Sequence, residues 1–445
     1  MNLERFDSKL LKLAVACAAL IVALVPFHAI LTVWTASWLG HYTAVRLWSL
    51  GLLILAGLVV VWVMVRDRGV RSVLRQPIAW LIGGYIAIQL IWGVVALLTH
   101  HVDKKALGYG WIVDVRFLIF FVVMWALALK TDWLRAHWQS LVFWPLAVVV
   151  VFGLLQYFVL PYDVMKHFGY NANNIFPYET INHNVHRLRV MSTLRGANPL
   201  GAYLVVTGSL LLAVLLKQAK KDWRLMALGV GTLVVLILTF SRGAWLGMVV
   251  SVVVLLWFQL KSSRTRRIAL AMAAVLAVSA LISFVALRNN TTFQDFIFHT
   301  NAKSTITTTS DQGHASAFRA GLHDLVHEPL GHGPGTAGPA SVYSNHPARI
   351  AENYFIQIGQ EVGWLGLTVF IVINVWVAKL LWLQRADTLA LGLFAGLLGV
   401  SVVALLSHAW TDDTLAFLWW GLAGLAVGNH AVLRSRSFRT PNHRG

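Results

Sequence analysis

Along this chain, long apolar runs alternate with short polar ones from one end to the other. A helix needs about 20 residues to cross about 30 Å of hydrocarbon. The pattern predicts membrane-spanning helices near residues 10–34, 47–65, 79–99, 109–129, 139–160, 199–216, 225–240, 244–260, 268–287, 353–380, 388–407 and 414–432. That makes an all-α integral membrane protein of about twelve spans. The run at 225–240 is short and its neighbour begins almost at once, which predicts a tight helical hairpin. Two polar intervals stand out by length: one at about 161–198, and a larger, partly helical one at about 288–352, between the ninth and tenth spans. The chain thus divides into residues 1–287 (nine spans and the 161–198 loop), the 288–352 loop, residues 353–433 (three spans) and a tail at 434–445.

Composition agrees with that division. Hydrophobic residues make up 58% of the 445 positions and charged residues only 12%, more apolar side chain than one soluble core could hide. The formal charge of +18 raises the question of nucleic acid. A nucleic-acid groove gathers basic residues and aromatics on one surface; here the basic residues fall in short clusters between apolar runs, as orientation signals do. With both termini inside, every inner segment is basic: Arg66 to Arg75, Lys130 and Arg135, Lys217 to Arg224, Lys261 to Arg267, Lys379 and Arg385, and Arg434 to Arg444. The single cysteine, Cys17, excludes an intramolecular disulfide and a multi-cysteine metal site. Its surroundings read as a retained first helix.

The candidate chemistry lies in the outer segments. Long loops with their own polar residues are disproportionately functional, and orientation rules disfavour arginines there. Those that stand out are Arg187, Arg189, Arg195, Arg242, Arg319 and Arg349. Each reads either as a partner of phosphates or nearby acids at the membrane surface, or as part of a site. Asn198 can cap the sixth span, whose N-terminus then offers backbone N–H groups to an anion. Arg242 sits at the hairpin tip after Ser241, a possible cap, where it faces headgroups or an enclosed polar cavity. Residues 316–328 predict an amphipathic helix with Phe318, Leu322, Leu325 and Val326 on one face and Arg319, His323 and His327 on another stripe. No carboxylate-rich or cysteine set accompanies those histidines, which weakens a metal reading. Glu352 precedes a long apolar helix and reads either as a cap and dipole partner or as a partly desolvated general base. Asp114 and Arg116 do not share a helix face, so each predicts a partner on another helix. His408, Asp412 and Asp413 lie at an outer turn where they can support a site.

With these residues assembled, the chain resembles the O-antigen ligase and O-antigen polymerase superfamily of bacterial inner-membrane proteins. The resemblance rests on SRGAWLG around Arg242, on Arg319 followed by HEPLGHGPG, and on Glu352-Asn353 followed at fixed spacing by Gly363 and Gly366. The layout is closest to the ligase branch. That resemblance implies a periplasmic, metal-independent and cofactor-free transfer of O-antigen polysaccharide from undecaprenyl pyrophosphate to lipid A-core. It further implies that Arg242 and Arg319 hold the pyrophosphate, with Arg189, Arg195 and Asn353 assisting. Many ligases carry histidine where this chain has Glu352, so the base is Glu352 or a nearby histidine, His346 or His332. O-antigen polymerase, protein O-oligosaccharyltransferase and, outside the enzymes, a lipid-linked glycan transporter are the alternatives.

Overall fold

The computed structural model describes residues 3–181, 184–218, 222–260 and 310–437, together with 220, 262–264, 267, 268 and 271. The ninth predicted span and the first part of the 288–352 loop fall almost wholly outside those residues. Among the described residues the chain is a helical bundle. Its helices are α1 (Leu3–Leu24), α2 (His28–Leu39), α3 (Tyr42–Arg46), α4 (Trp48–Arg66), α5 (Arg68–Arg71), α6 (Pro77–Leu98), α7 (Lys104–Ala128), α8 (Trp133–Phe158), α9 (Ala197–Lys217), α10 (Trp223–Leu238), α11 (Arg242–Gln259), α12 (Ser310–His327), α13 (Tyr354–Leu383), α14 (Thr388–Ala404) and α15 (Asp413–Ser437). Among the described residues eight segments are long and apolar enough to cross a membrane, the first of them running from Asp7 through α1 and α2 to Leu39. The shorter apolar helices are α10, α14 and the Asp413–Gly428 part of α15. The fold is therefore mostly helical, with one exception. In the 161–198 loop a two-stranded antiparallel hairpin forms from β1 (Glu179–Ile181) and β2 (Asn184–Arg189), pairing Glu179 with Arg189.

Small residues bring the bundle together. Without a hydrophobic drive between helices in lipid, close backbone approach and dispersion hold them. Gly421 and Gly424 of α15 admit Phe120 and the Phe121 backbone of α7, while Gly247 of α11 meets the Gly399 carbonyl of α14. Around these contacts Trp410, Trp419, Trp420 and Phe417 are fully buried, so both tryptophans of the WW pair face the bundle interior. Arg116 reaches Asp413 of α15 at 2.9 Å, and Asp114 bonds Tyr354 and Glu361 of α13. Each charge of α7 thus meets a different neighbour.

Contacts separate the two ends of the bundle. At one end Lys130 pairs with Asp67, Arg135 with Asp387, and Lys217 Nζ donates to the Ala386 carbonyl at 2.7 Å. This end carries the short basic segments. The long loops collect at the other, where Thr193 donates to Pro26 O at 2.9 Å, Thr414 to Val25 O at 3.0 Å, and Asn353 to Leu405 O at 3.0 Å.

Helix α13 is not continuous. At Val362 and Gly363 the backbone leaves helical geometry, with Gly363 at φ 65°. The segment after α12 is laid into that break: His332 N donates to Gln360 O at 2.9 Å, Gly333 N to Glu361 O at 2.7 Å, and Trp364 N to Pro329 O at 3.0 Å. Glu361 Oε1 accepts from Gly335 N at 2.9 Å. Gly331 faces the backbone of Glu361 and Gly363, and Gly363 that of Pro329 and Leu330, both at positive φ and with no room for a Cβ on either. Glycine is the residue that allows this conformation and this approach.

Candidate functional site

Among the described residues, two cavities at the loop end lie on either side of one short 3-10 helix, Gly338–Tyr343. The first, of about 210 Å³, is lined by Arg195, Asn198, Pro199, Ala202, Pro339, Glu352, Leu406, Ser407, His408, Ala409 and Asp412. The second, of about 300 Å³, is lined by His101, His332, Thr336, Ser341, Ser344, His346, Pro347 and Arg349. Between them Gly338 packs against the Gln357 amide, a contact a Cβ would forbid.

In the first cavity Arg195 and Asp412 form an ion pair, Nε to Oδ2, at 3.0 Å. Asp412 is fixed in turn, because its Oδ1 accepts from Thr414 N at 3.0 Å at the start of α15. The Arg195 side chain remains 38% exposed, a cation aimed by its partner yet open to a ligand. His408 Nδ1 bonds Gln357 Oε1 at 2.8 Å. Burial, helped by the Arg195 charge, pushes its pKa down to about 4, so it is a neutral imidazole at neutral pH.

Glu352 sits in the same cavity with a backbone φ of 53°. A glutamate in that left-handed region is strained by about 1–2 kcal/mol, and such strain persists only where the surroundings impose it. The reading of Glu352 as the cap of α13 is superseded. The cap is Asn353, whose side chain accepts from Ile356 N at 3.0 Å and donates to Leu405 O. Both ends of the Asn353 amide are thereby occupied, which fixes the backbone on which Glu352 stands.

The arginines divide by geometry. All three nitrogens of Arg189 are engaged: Nε with Thr239 O at 3.0 Å, one terminal nitrogen with Asn198 Oδ1 at 2.8 Å and the other with Glu179 at 3.4 Å. Burial lowers its pKa, Glu179 opposes that, and the nearby Arg242 charge adds to the lowering. Arg189 is therefore a brace between β2, the hairpin tip and α9, close to Arg242. Asn198, which the sequence suggested as a cap, lies inside α9 and holds that brace; the N-cap is Gly196, without a side-chain bond. Ser241 is the N-cap of α11 but makes no side-chain cap bond. Arg242 opens α11, next to Gly243, which faces Leu406 of the cavity wall.

Arg319 is not among the residues of either cavity. It is exposed on α12, about 200° around the helix from Gly321, which faces Ile356 and Ala351. Helix α12 is anchored by buried Leu325 and by Asp324, which accepts from Gln360 at 2.8 Å. Phe318, Leu322 and Val326 remain exposed, so the apolar face expected of this helix is mostly not its packed face. His323 and His327 stack at 3.9 Å, and no group of three side chains placed to hold a metal ion forms among the described residues.

His332 and His346 lie in the second cavity, apart from Glu352. Arg349 there is clasped by both oxygens of Glu328, with Asp324 at 3.8 Å. Burial alone would raise Glu328, but the Arg349 guanidinium holds it below the usual carboxylate range. Three wall elements lay outside any motif: His101, Gln357 and the 338–343 turn. Only the run of glycines and prolines around the turn hinted at a compact loop.

Fold and contacts together define a multi-pass helical membrane protein whose connecting loops build a polar, charged site at one end of the bundle. Within that class, residues 225–371 match the family model described as O-antigen ligase, a match over one stretch of the chain that supports the O-antigen ligase superfamily. The matched stretch begins in α10, ends in α13 and includes Arg242, Arg319 and Glu352. The match fits O-antigen ligase- or polymerase-type glycosyl transfer and a lipid-linked glycan as partner. No curated protein matches the chain.

Proposed function

We propose that the protein transfers O-antigen polysaccharide from undecaprenyl pyrophosphate to a sugar hydroxyl of lipid A-core, at the periplasmic face of the bacterial inner membrane, by a single inverting displacement. The observation that carries the proposal is the shared cavity of Arg195 and Glu352, with Arg242 beside its wall. A polyprenyl diphosphate lies at headgroup depth, where loops at the end of a bundle meet the membrane. The inner position of both termini follows from the basic segments of the opposite end.

In this mechanism Glu352 accepts the proton of the acceptor hydroxyl. The oxygen attacks the anomeric carbon from the face opposite the diphosphate, the bond from that carbon to the diphosphate oxygen breaks, and undecaprenyl pyrophosphate leaves with the electron pair. Arg195 and Arg242 offset charge developing on the leaving group, since guanidinium groups contact phosphate oxygens with permanent charge. Arg189 and Asp412 are positioning residues, the first beside Arg242 and the second on Arg195. Asn353 positions Glu352. Arg319, exposed on α12, assists from outside the cavity.

The test is transfer of glycan from purified undecaprenyl-pyrophosphate donor to rough lipopolysaccharide, by wild type, Arg195→Ala and Glu352→Gln. Loss of covalent attachment in both variants, with membrane insertion intact, is expected. Full transfer by either would remove that residue from the mechanism, and products elongated on the lipid-linked glycan alone would identify a polymerase.

A further inference from the structure

We infer that the second cavity is a subsite for uncharged sugar residues of the glycan chains, adjoining the reaction cavity across the Gly338–Tyr343 turn. The inference rests on the glycosyl-transfer reading above and adds a substrate class for a cavity that this reading leaves unused.

Charge excludes a phosphate there. The cation of this cavity, Arg349, is already neutralised by Glu328 through both terminal nitrogens and by Asp324. An anion would meet two carboxylates behind one guanidinium. The remaining polar groups lining it are hydroxyls and imidazoles, which suit sugar hydroxyl groups. Thr336 Oγ1 donates to Gly333 O at 2.6 Å and Ser341 Oγ to Gly338 O at 2.7 Å. Ser344 Oγ donates to Asp103 at 3.1 Å. With its proton committed, each oxygen presents lone pairs to an incoming O–H. Burial lowers the His332 pKa, Glu328 opposes that, and Arg349 and His101 add to the lowering; its Nδ1 is committed to Glu328 at 2.8 Å, which leaves Nε2 as an acceptor for a hydroxyl. His346 is exposed at the mouth.

Size agrees. A volume of about 300 Å³ is the space of roughly ten waters, enough for one pyranose of about twelve heavy atoms at the lower end of small-molecule sites. Position agrees as well: Pro339 lines the reaction cavity while Ser341, two residues on, lines this one. A sugar held here is next along the chain from one reacting at Glu352. Donor and acceptor glycans share this chemistry.

The experiment uses full-length protein in detergent and two probes, a neutral hexose trisaccharide and inorganic pyrophosphate, with binding read by saturation-transfer NMR and equilibrium dialysis. The Ser341→Ala/His346→Ala double variant should weaken trisaccharide binding about tenfold and leave pyrophosphate binding unchanged, with His346→Gln alone retaining the trisaccharide. Melting temperature confirms that the variants are folded. Unchanged trisaccharide binding in the folded double variant overturns the inference. Arg195→Ala should do the converse; if it keeps pyrophosphate while the double variant loses the trisaccharide, the diphosphate reading fails and the sugar subsite stands. Michaelis constants then separate the sources. A rise for the donor alone marks the donor chain, a rise for the acceptor alone marks the acceptor, and a rise for neither overturns the subsite.

Discussion

Two cavities share one wall, the turn at Gly338–Tyr343, yet they handle their arginines in opposite ways. In the first, Arg195 is gripped by one carboxylate, through Nε at 3.0 Å, and Arg242 lies close to the braced Arg189. In the second, Arg349 faces Glu328 and Asp324 and its charge is consumed internally. An arginine in an outer loop is therefore not a ligand site by virtue of its charge. What matters is how much of the guanidinium its neighbours leave over, because a fully paired ion has little left to offer a phosphate.

That contrast can be broken most directly at its centre. Glu352→Gln keeps the shape of the first cavity and removes its proton acceptor, so transfer should fall by roughly 10²–10⁴-fold, read as initial rate with lipid-linked donor. Arg195→Ala should lower the rate by about 10²–10³-fold, whereas Arg349→Ala should change it less and act mainly by releasing Glu328. Equal losses in both arginine variants would erase the distinction between the cavities. Gly363→Ala tests the frame common to both, since a Cβ would meet the Pro329 carbonyl at 2.4 Å. We expect a loss of about 1–3 kcal/mol in thermal or denaturant unfolding. His408 supplies the smallest and most specific handle. Its pKa in the folded protein, about 4, lies below its ordinary 6.5. The stability it contributes is thus complete above about pH 6.5, declines as pH falls through about 4, and amounts to the order of 1 kcal/mol per pH unit at most within that window. Melting temperature against pH should flatten over this range in His408→Gln.

Much of this architecture was legible in the sequence because lipid imposes one rule on every span. Apolar runs of the right length become helices, and each described run did so. The hairpin at Arg242 and the separate partners of Asp114 and Arg116 followed from spacing alone. The candidate residues were legible as chemistry, but their grouping was not. Whether His332 and His346 stand beside Glu352 depends on a turn of six residues with no periodicity. That Arg189 is spent on Thr239, Asn198 and Glu179 depends on a two-stranded hairpin whose register only the folded chain reveals. The capping role went to Asn353 and not to Glu352 because the helix begins one residue later than its charge suggested.

The interruption of α13 binds the fate of two distant pieces of chain. Residues 356–363 are all buried, and buried backbone groups left unsatisfied cost about 1–3 kcal/mol each. The Pro329–Gly335 strip answers the Gln360 and Glu361 carbonyls and the Trp364 N–H at the break, so the broken helix is satisfied only with the strip in place. The loop emerges from synthesis first and waits for its span, acting as an intramolecular assembly factor. A lesion in either strip or helix would then register as one defect in biogenesis, visible as loss of folded protein before any loss of turnover.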